Sequence, residues 1–280
     1  MSAFDLAGHS TEFLALLALA LALSGLIAGT IGGLLGVGGG IVLVPVLYQA
    51  FEMLGVPETV RMELSVATSL ATIIPTSLRS LASHNRRGAV DWTLLKTWAP
   101  GIFIGAALGS WVAAFIGGDG LRIVFVAMAF LLALFMALAP DTLKIADSMP
   151  KGIVAQAMAS VIGGLSVLMG IGGGTFAVSL QTLYGAPIHR AVATASGFGF
   201  IIAIPGALGF VVSGWGAEGL PPLSLGYVSL AGFLLITPAT VLAAPWGARL
   251  AHALPRKSLR LAFAGFLAAS AARILYGLMI

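Results

Sequence analysis

Apolar residues run along this chain in long blocks, separated by short polar or glycine-rich interruptions, with too few polar positions for an ordinary amphipathic pattern. Ten segments are predicted: roughly 13–35, 40–54, 63–82, 93–116, 121–139, 152–169, 174–185, 190–213, 225–248 and 259–279. Many approach the ~20 apolar residues that a helix needs to cross a bilayer core of about 30 Å. The second and seventh are shorter and, at 1.5 Å per residue, reach about 20 Å. Each is therefore predicted to be a half-helix or one arm of a hairpin entering the membrane beside the preceding helix. Both follow a glycine run, GVGGG at 36–40 and GIGGG at 170–174. Such runs break a helix, since each glycine costs about 1 kcal/mol relative to alanine.

The two runs belong to a wider repeat. Gly29, Gly36, Gly38, Gly39 and Gly40 meet Gly163, Gly170, Gly172, Gly173 and Gly174 at an offset of 134, and Pro100 and Gly109 meet Pro238 and Gly247 at 138. LRIVF at 121–125 meets LRLAF at 259–263, and VAT occurs at 66–68 and again at 192–194. The expected organisation is five segments repeated once, 1–140 and 141–280, joined near Pro140 to Pro150. An odd number of segments per repeat makes the second run opposite to the first, an inverted repeat within one transmembrane unit.

Composition agrees with a polytopic, all-α membrane protein: 59% of the 280 residues are hydrophobic, 9% are charged, and the mean hydropathy is +1.06. A soluble domain carries about 25% charged residues. The first segment is not expected to be a cleaved signal, because no Lys or Arg precedes Arg61. The net charge of +4 is scattered over loops, which speaks against a nucleic-acid partner. The absence of cysteine removes disulfides, thiolate metal sites and cysteine nucleophiles. Nucleotide-loop, zinc-protease and serine-hydrolase motifs are missing, so neither an enzyme nor a cofactor or metal is expected.

Arg86 and Arg87 in the 83–92 loop, and Arg249, Arg256, Lys257 and Arg260 in the 249–260 loop, are expected on the cytoplasmic side. Lys144, Lys151 and Arg190 then fall on the same side, and both termini on the other; Arg122 and Arg273 are the exceptions to this charge asymmetry.

Paired helix breaks in inverted repeats point to a secondary transporter with its site near the midplane. Freed N–H groups at the start of a following helix make an anion-binding nest, and glycine lets a ligand approach the backbone. The candidate contacts are Gly38, Gly39 and Gly40 facing Gly172, Gly173 and Gly174. Hydroxyls join them. Ser65, Thr68, Ser69, Thr72 and Thr76 lie along one face of the third segment, and Thr194 and Ser196 occupy the matching helix, with Thr68 and Ser69 the favoured contacts. Gln181 is a neutral polar group at membrane depth and a candidate cavity residue. Arg79, His189 and Glu63 are candidates for a charge or proton role, against the plainer readings of snorkelling, a solvated loop histidine and an interfacial anchor. Gly101, Gly105 and Gly109, mirrored by Ala239, Ala243 and Gly247, form a helix-packing stripe.

The pairing of GTIGGLLGVGGGIVLVPVL (29–47) with GGLSVLMGIGGGTFAVSL (163–180), followed by VATSL (66–70) and VATASG (192–197), resembles the TauE/SafE sulfite exporter family of bacterial inner-membrane permeases. The resemblance covers nearly the whole chain. It implies movement of small sulfur-containing anions, such as sulfite, sulfoacetate or other organosulfonates, without ATP. Pro45 after the first glycine block is matched by Ser179 in the second, so the two half-sites need not contribute equally. The resulting expectation is an exporter of such an anion, driven by the proton or membrane potential, with the bilayer and the anion as its partners and a homo-oligomer compatible with the sequence. A passive anion channel and a non-transporting membrane scaffold are the alternatives.

Topology gives the first test. Reporter fusions at residue 88 and at the C-terminus are expected to report opposite compartments, cytoplasmic and periplasmic; matching results would overturn the orientation.

Overall fold

A computed structural model describes residues 10–36, 38–138, 144–146, 148–250 and 256–279, with the side chains of 256–260, 262, 263, 278 and 279 excepted. Val37, residues 139–143 and 147 at the join, the far ends of the chain and the basic side chains of the 249–260 loop beyond Arg249 lie outside the described residues. Helix α1 (Thr11–Leu35) starts on Ser10, whose hydroxyl accepts from the Phe13 N–H, and stops where Gly36 turns left-handed. Then come α2 (Gly40–Met53), α3 (Glu58–Asn85), α4 (Trp92–Leu138), α5 (Gly152–Leu168), α6 (Gly174–Leu183) and α7 (Ile188–Ser213). A two-residue hairpin, β1 (Ser224–Leu225) and β2 (Val228–Ser229), precedes α8 (Leu230–Leu250) and α9 (Arg256–Met279).

Three boundaries differ from the sequence expectation. The third segment is longer, because Glu58 to Met62 and Ser83 to Asn85 continue the helix despite their polarity. The fourth and fifth are carried by one 47-residue element, in which Gly117 alone leaves helical geometry (φ 63°, ψ −172°). The ninth begins as the hairpin, with Gly226 in the left-handed turn, and becomes helical at Leu230. Helices α2 and α6, with 14 and 10 residues, are short. Helices α1, α4, α7 and α8 are each long and apolar enough to cross a membrane.

Helices α3 and α7 lie against each other in the middle; α3 also packs on α8, and α7 on α4. The outer crossings are α1 with α8 and α4 with α5. Both crossings bring backbone onto backbone. A Cβ at Gly33 would lie 2.0 Å from Ala244 O, and one at Gly247 would lie 1.8 Å from Thr30 O. On the other flank, a Cβ at Gly105 would lie 1.9 Å from Ser160 O, and one at Gly163 would lie 2.3 Å from Ile102 O. The small-residue stripes are thus contact faces, where close approach replaces the hydrophobic drive that lipid removes. Leu16, Leu19 and Ile27 of α1, Phe103, Leu108 and Trp111 of α4, and Leu242 and Trp246 of α8 point outward. Exposed apolar surface of this extent suits lipid rather than water.

Gly105→Ala forces the α4–α5 crossing apart and is expected to cost about 1–3 kcal/mol by overpacking. Gly265→Ala on α9, where no atom lies within 4 Å of the new methyl, is the control and is expected to be neutral or stabilising. Thermal unfolding of both variants in detergent checks this; equal melting temperatures would contradict the packing.

Candidate functional site

The glycine runs take up conformations that other residues resist. Gly36, Gly38 and Gly39 have φ of 69°, 70° and 84°, and Gly170 and Gly173 have 66° and 68°. A side chain in this left-handed region costs about 1–2 kcal/mol. Gly39 and Gly173 are the N-caps of α2 and α6, and neither helix receives a side-chain cap. The first N–H groups of both short helices therefore have no side-chain acceptor among the described residues; they are the donors that a helix start leaves over. Gly40 and Gly174, the first residues of these helices, are buried.

The two runs meet. A Cβ on Gly40 would lie 2.4 Å from Gly170 O and 2.9 Å from Ile171 Cα. Each run also leans on the VAT stretch of the other half: a Cβ on Gly36 would lie 2.3 Å from Val192 O, and one on Gly170 would lie 3.0 Å from Val66 Cα. Ser69 Oγ, on α3, donates to Gly170 O at 2.8 Å.

The other predicted hydroxyls hold helices in place. Thr68 Oγ1 accepts the backbone N–H of Ser229 at 2.9 Å, and Thr194 Oγ1 accepts that of Asp91 at 3.0 Å. Ser229 and Asp91 are the residues immediately before α8 and α4, so each threonine pins a helix start. Thr72 Oγ1 donates to Thr68 O, Thr76 Oγ1 donates to Thr72 O and lies 2.7 Å from Thr240 Oγ1, and Ser196 Oγ donates to Ala193 O.

Ser77 is the residue that the sequence reading passed over. Its Oγ is buried and has no partner among the described residues. It lies 2.9 Å from where a Cβ on Gly38 would sit and 2.6 Å from one on Gly199, beside Gly172 O. An unpaired hydroxyl thus stands where both breaks converge. Its eight-residue step from Ser69 along α3 was the available signal.

A cleft of about 390 Å³ opens at the ends of α4, α5, α6 and α7, lined among others by Asp91, Trp98, Lys151, Gln181, Tyr184 and Arg190. Gln181 is buried, and its amide donates to Ala177 O and Ala191 O. Arg190 pairs with Asp91 across the cleft at 2.9 Å. His189 is half-buried next to Arg190, and Arg79 is exposed on α3; neither lines this cleft. Glu63 is buried within the protein. The two exceptions to the charge asymmetry are both paired: Arg122 bonds Glu58 and Asp119, and Arg273 bonds Glu52.

The family description "Sulfite exporter TauE/SafE" matches residues 21–274. A Haemophilus influenzae protein named "Probable membrane transporter protein" is 34% identical over 253 residues, which is 88% of this chain and 93% of that relative. A Methanocaldococcus jannaschii protein with a similar name is 28% identical over 257 residues, covering 91% and 94%. The Bacillus subtilis "Probable membrane transporter protein YunE" is 30% identical over 210 residues, covering 68% and 77%. No solved structure matches.

Thr68→Val and Thr194→Val each leave a buried N–H without its acceptor. Each is expected to lower stability by about 1–3 kcal/mol, whereas the serine variants keep the bond and lose less. Melting temperatures in detergent measure the difference; valine variants as stable as the serine ones would remove the pinning role.

Proposed function

We propose, on the premise that this chain belongs to the TauE/SafE sulfite exporter family of membrane transporters, that it is a secondary transporter carrying a small sulfur-containing anion, sulfite or an organosulfonate, out of the cell. The observation that carries the reading is the unpaired Ser77 hydroxyl between Gly38, Gly172 and Gly199, where the uncapped starts of two short helices converge. Bare N–H groups and a hydroxyl bind an oxyanion without a fixed positive charge, so binding stays weak enough for release. In this reading Gly38, Gly39, Gly40, Gly172, Gly173 and Gly174 form the cradle. Ser77 and Ser69 supply hydroxyl contacts, and Thr68, Thr194 and Ser196 position the helices around it.

Residues 1–140 and 141–280 then act as inverted repeats. In support, Asp91 and Ser229 are separated by the same offset of 138 as Pro100 and Pro238, and the threonines of the two VAT stretches hold them. The crossings of α1 with α8 and α4 with α5 exchange one helix from each half. Alternating access is a tilt of one half against the other about the touching breaks. With the protein in the bacterial inner membrane and its termini periplasmic, the cleft at Gln181 faces the cytoplasm. Lys151 and Arg190 at its rim draw anions in by long-range attraction.

Gly39→Ala, Gly173→Ala and Ser77→Ala are expected to weaken anion binding, the serine variant by about 10- to 150-fold, the cost of one hydrogen bond to a charged ligand. Stabilisation of the purified protein by sulfite, sulfoacetate and carboxylates reads this out, alongside labelled-sulfite flux in proteoliposomes. Saturable counterflow supports a carrier; unsaturable current would make it a channel, and silence a scaffold. Full ligand stabilisation in all three variants would move the site elsewhere.

A further inference from the structure

Glu63 lies on α3 three residues before Val66, on which the Gly170 break leans; it is 5% exposed and has an Oε2 with no hydrogen-bond partner among the described residues. A buried, unpartnered carboxylate is among the costliest arrangements a fold can hold, and a carboxyl in that position relieves the cost by keeping its proton. The charges around it leave it that role. From α4, Arg122 and Asp119 face it; from its own helix Glu58 lies one turn away; from the hairpin comes Tyr227, and from α2 Tyr48 stands near Arg122. The Arg122 guanidinium donates through its two terminal nitrogens to Glu58 and Asp119, while its Nε is buried with no partner among the described residues. The next shell, Glu52 with Arg61 and Arg273, is likewise paired within itself.

What admits the carboxyl is the second kind of break in the molecule. Gly117 leaves helical geometry in open space, and a Cβ on the following Gly118 would lie 2.8 Å from Glu63 Oε2 and 3.2 Å from Thr59 O. The backbone of α4 thus lies directly over the acid, with no side chain between them. The next residue, Asp119, has a side chain 78% exposed, so a buried acid stands one residue from a wet carboxylate.

We infer that Glu63 is a proton-binding site, held as the neutral acid under the Gly117–Gly118 break and exchanging its proton with water at Asp119 when that break shifts. On release the Glu63 O–H bond breaks, the proton passes to water or to the Asp119 carboxylate, and the carboxylate left behind competes with Glu58 for Arg122. Both carboxylates belong to α3, so the exchange keeps the ion pair to α4 but moves it five residues along α3. On the transporter reading, on which this consequence rests, one proton bound per cycle ties anion flux to a pH difference.

Infrared difference spectra of the purified full chain test the site without any substrate. At neutral pH the wild type is expected to show a protonated-carboxyl C=O band that is absent from Glu63→Gln; identical spectra would overturn the inference. Should Glu63→Gln fail to fold, Gly118→Ala keeps the acid and places a methyl against Oε2. It is expected to shift the same band, and an unshifted band would also overturn the inference. In proteoliposomes with labelled sulfite, Glu63→Gln is expected to lose the dependence of flux on a pH gradient while retaining anion exchange at equal pH. Gradient dependence surviving in that variant would exclude Glu63 as the coupling group. A wild type that moves no sulfite would instead count against the transporter reading, with the infrared result still deciding the proton site.

Discussion

Backbone N–H and C=O groups cannot be left bare in an apolar bundle, and this protein exposes two sets of them in its middle, at Gly36–Gly40 and Gly170–Gly174. Much of the central architecture answers that demand. The runs are pressed together, so that Gly40 meets Gly170, and the Gly170 carbonyl is taken by Ser69 Oγ from the central helix α3. Helix α3 is polar along its length yet buried, because its hydroxyls from Ser65 to Thr76 are spent on carbonyls, a helix start and a break. A wholly apolar helix in its place would leave the freed groups unanswered.

The same demand explains how the flanks are built. Short helices that begin in mid-bundle need neighbours on every side, and the tight α1–α8 and α4–α5 crossings provide rigid walls for them. The VAT threonines then fix where α4 and α8 start, each by a single hydrogen bond to a backbone N–H. Helix starts held by one bond can shift as units, which suits a bundle whose halves must tilt without unfolding.

Much of this was legible in the sequence, and the gaps have physical causes. Apolar length marked α1, α5 and α7 to within a few residues, and the glycine runs marked the short helices, because a residue that tolerates positive φ leaves a readable trace. The ends of α3 were not readable, since Glu58 and Asn85 look like loop residues until Arg122 is seen to bond the one and Trp92 Nε1 to donate to the other. The hairpin before α8 was hidden because Leu225, Tyr227 and Val228 are as apolar as a helix would be. Hydroxyl partners were equally opaque. A threonine looks the same in sequence whether it bonds its own helix, as Thr72 does, or an N–H 161 residues away, as Thr68 does. Ser77 and Glu63 gain their meaning from glycines elsewhere in the fold, Gly38, Gly199 and Gly118, which no local pattern joins to them.

The α1–α8 crossing also governs how the molecule can be made. Gly33 of α1 finds its contact at Ala244, so α1 waits for about 210 further residues before its small-residue face is covered. Until then that face is open to lipid and to any other helix with a matching stripe, including α5. The α4–α5 pair on the opposite flank, whose partners are close in sequence, can close early. The two flanks therefore close at different times: α4–α5 first, α1 only when α8 arrives, with α9 following to pack on α4.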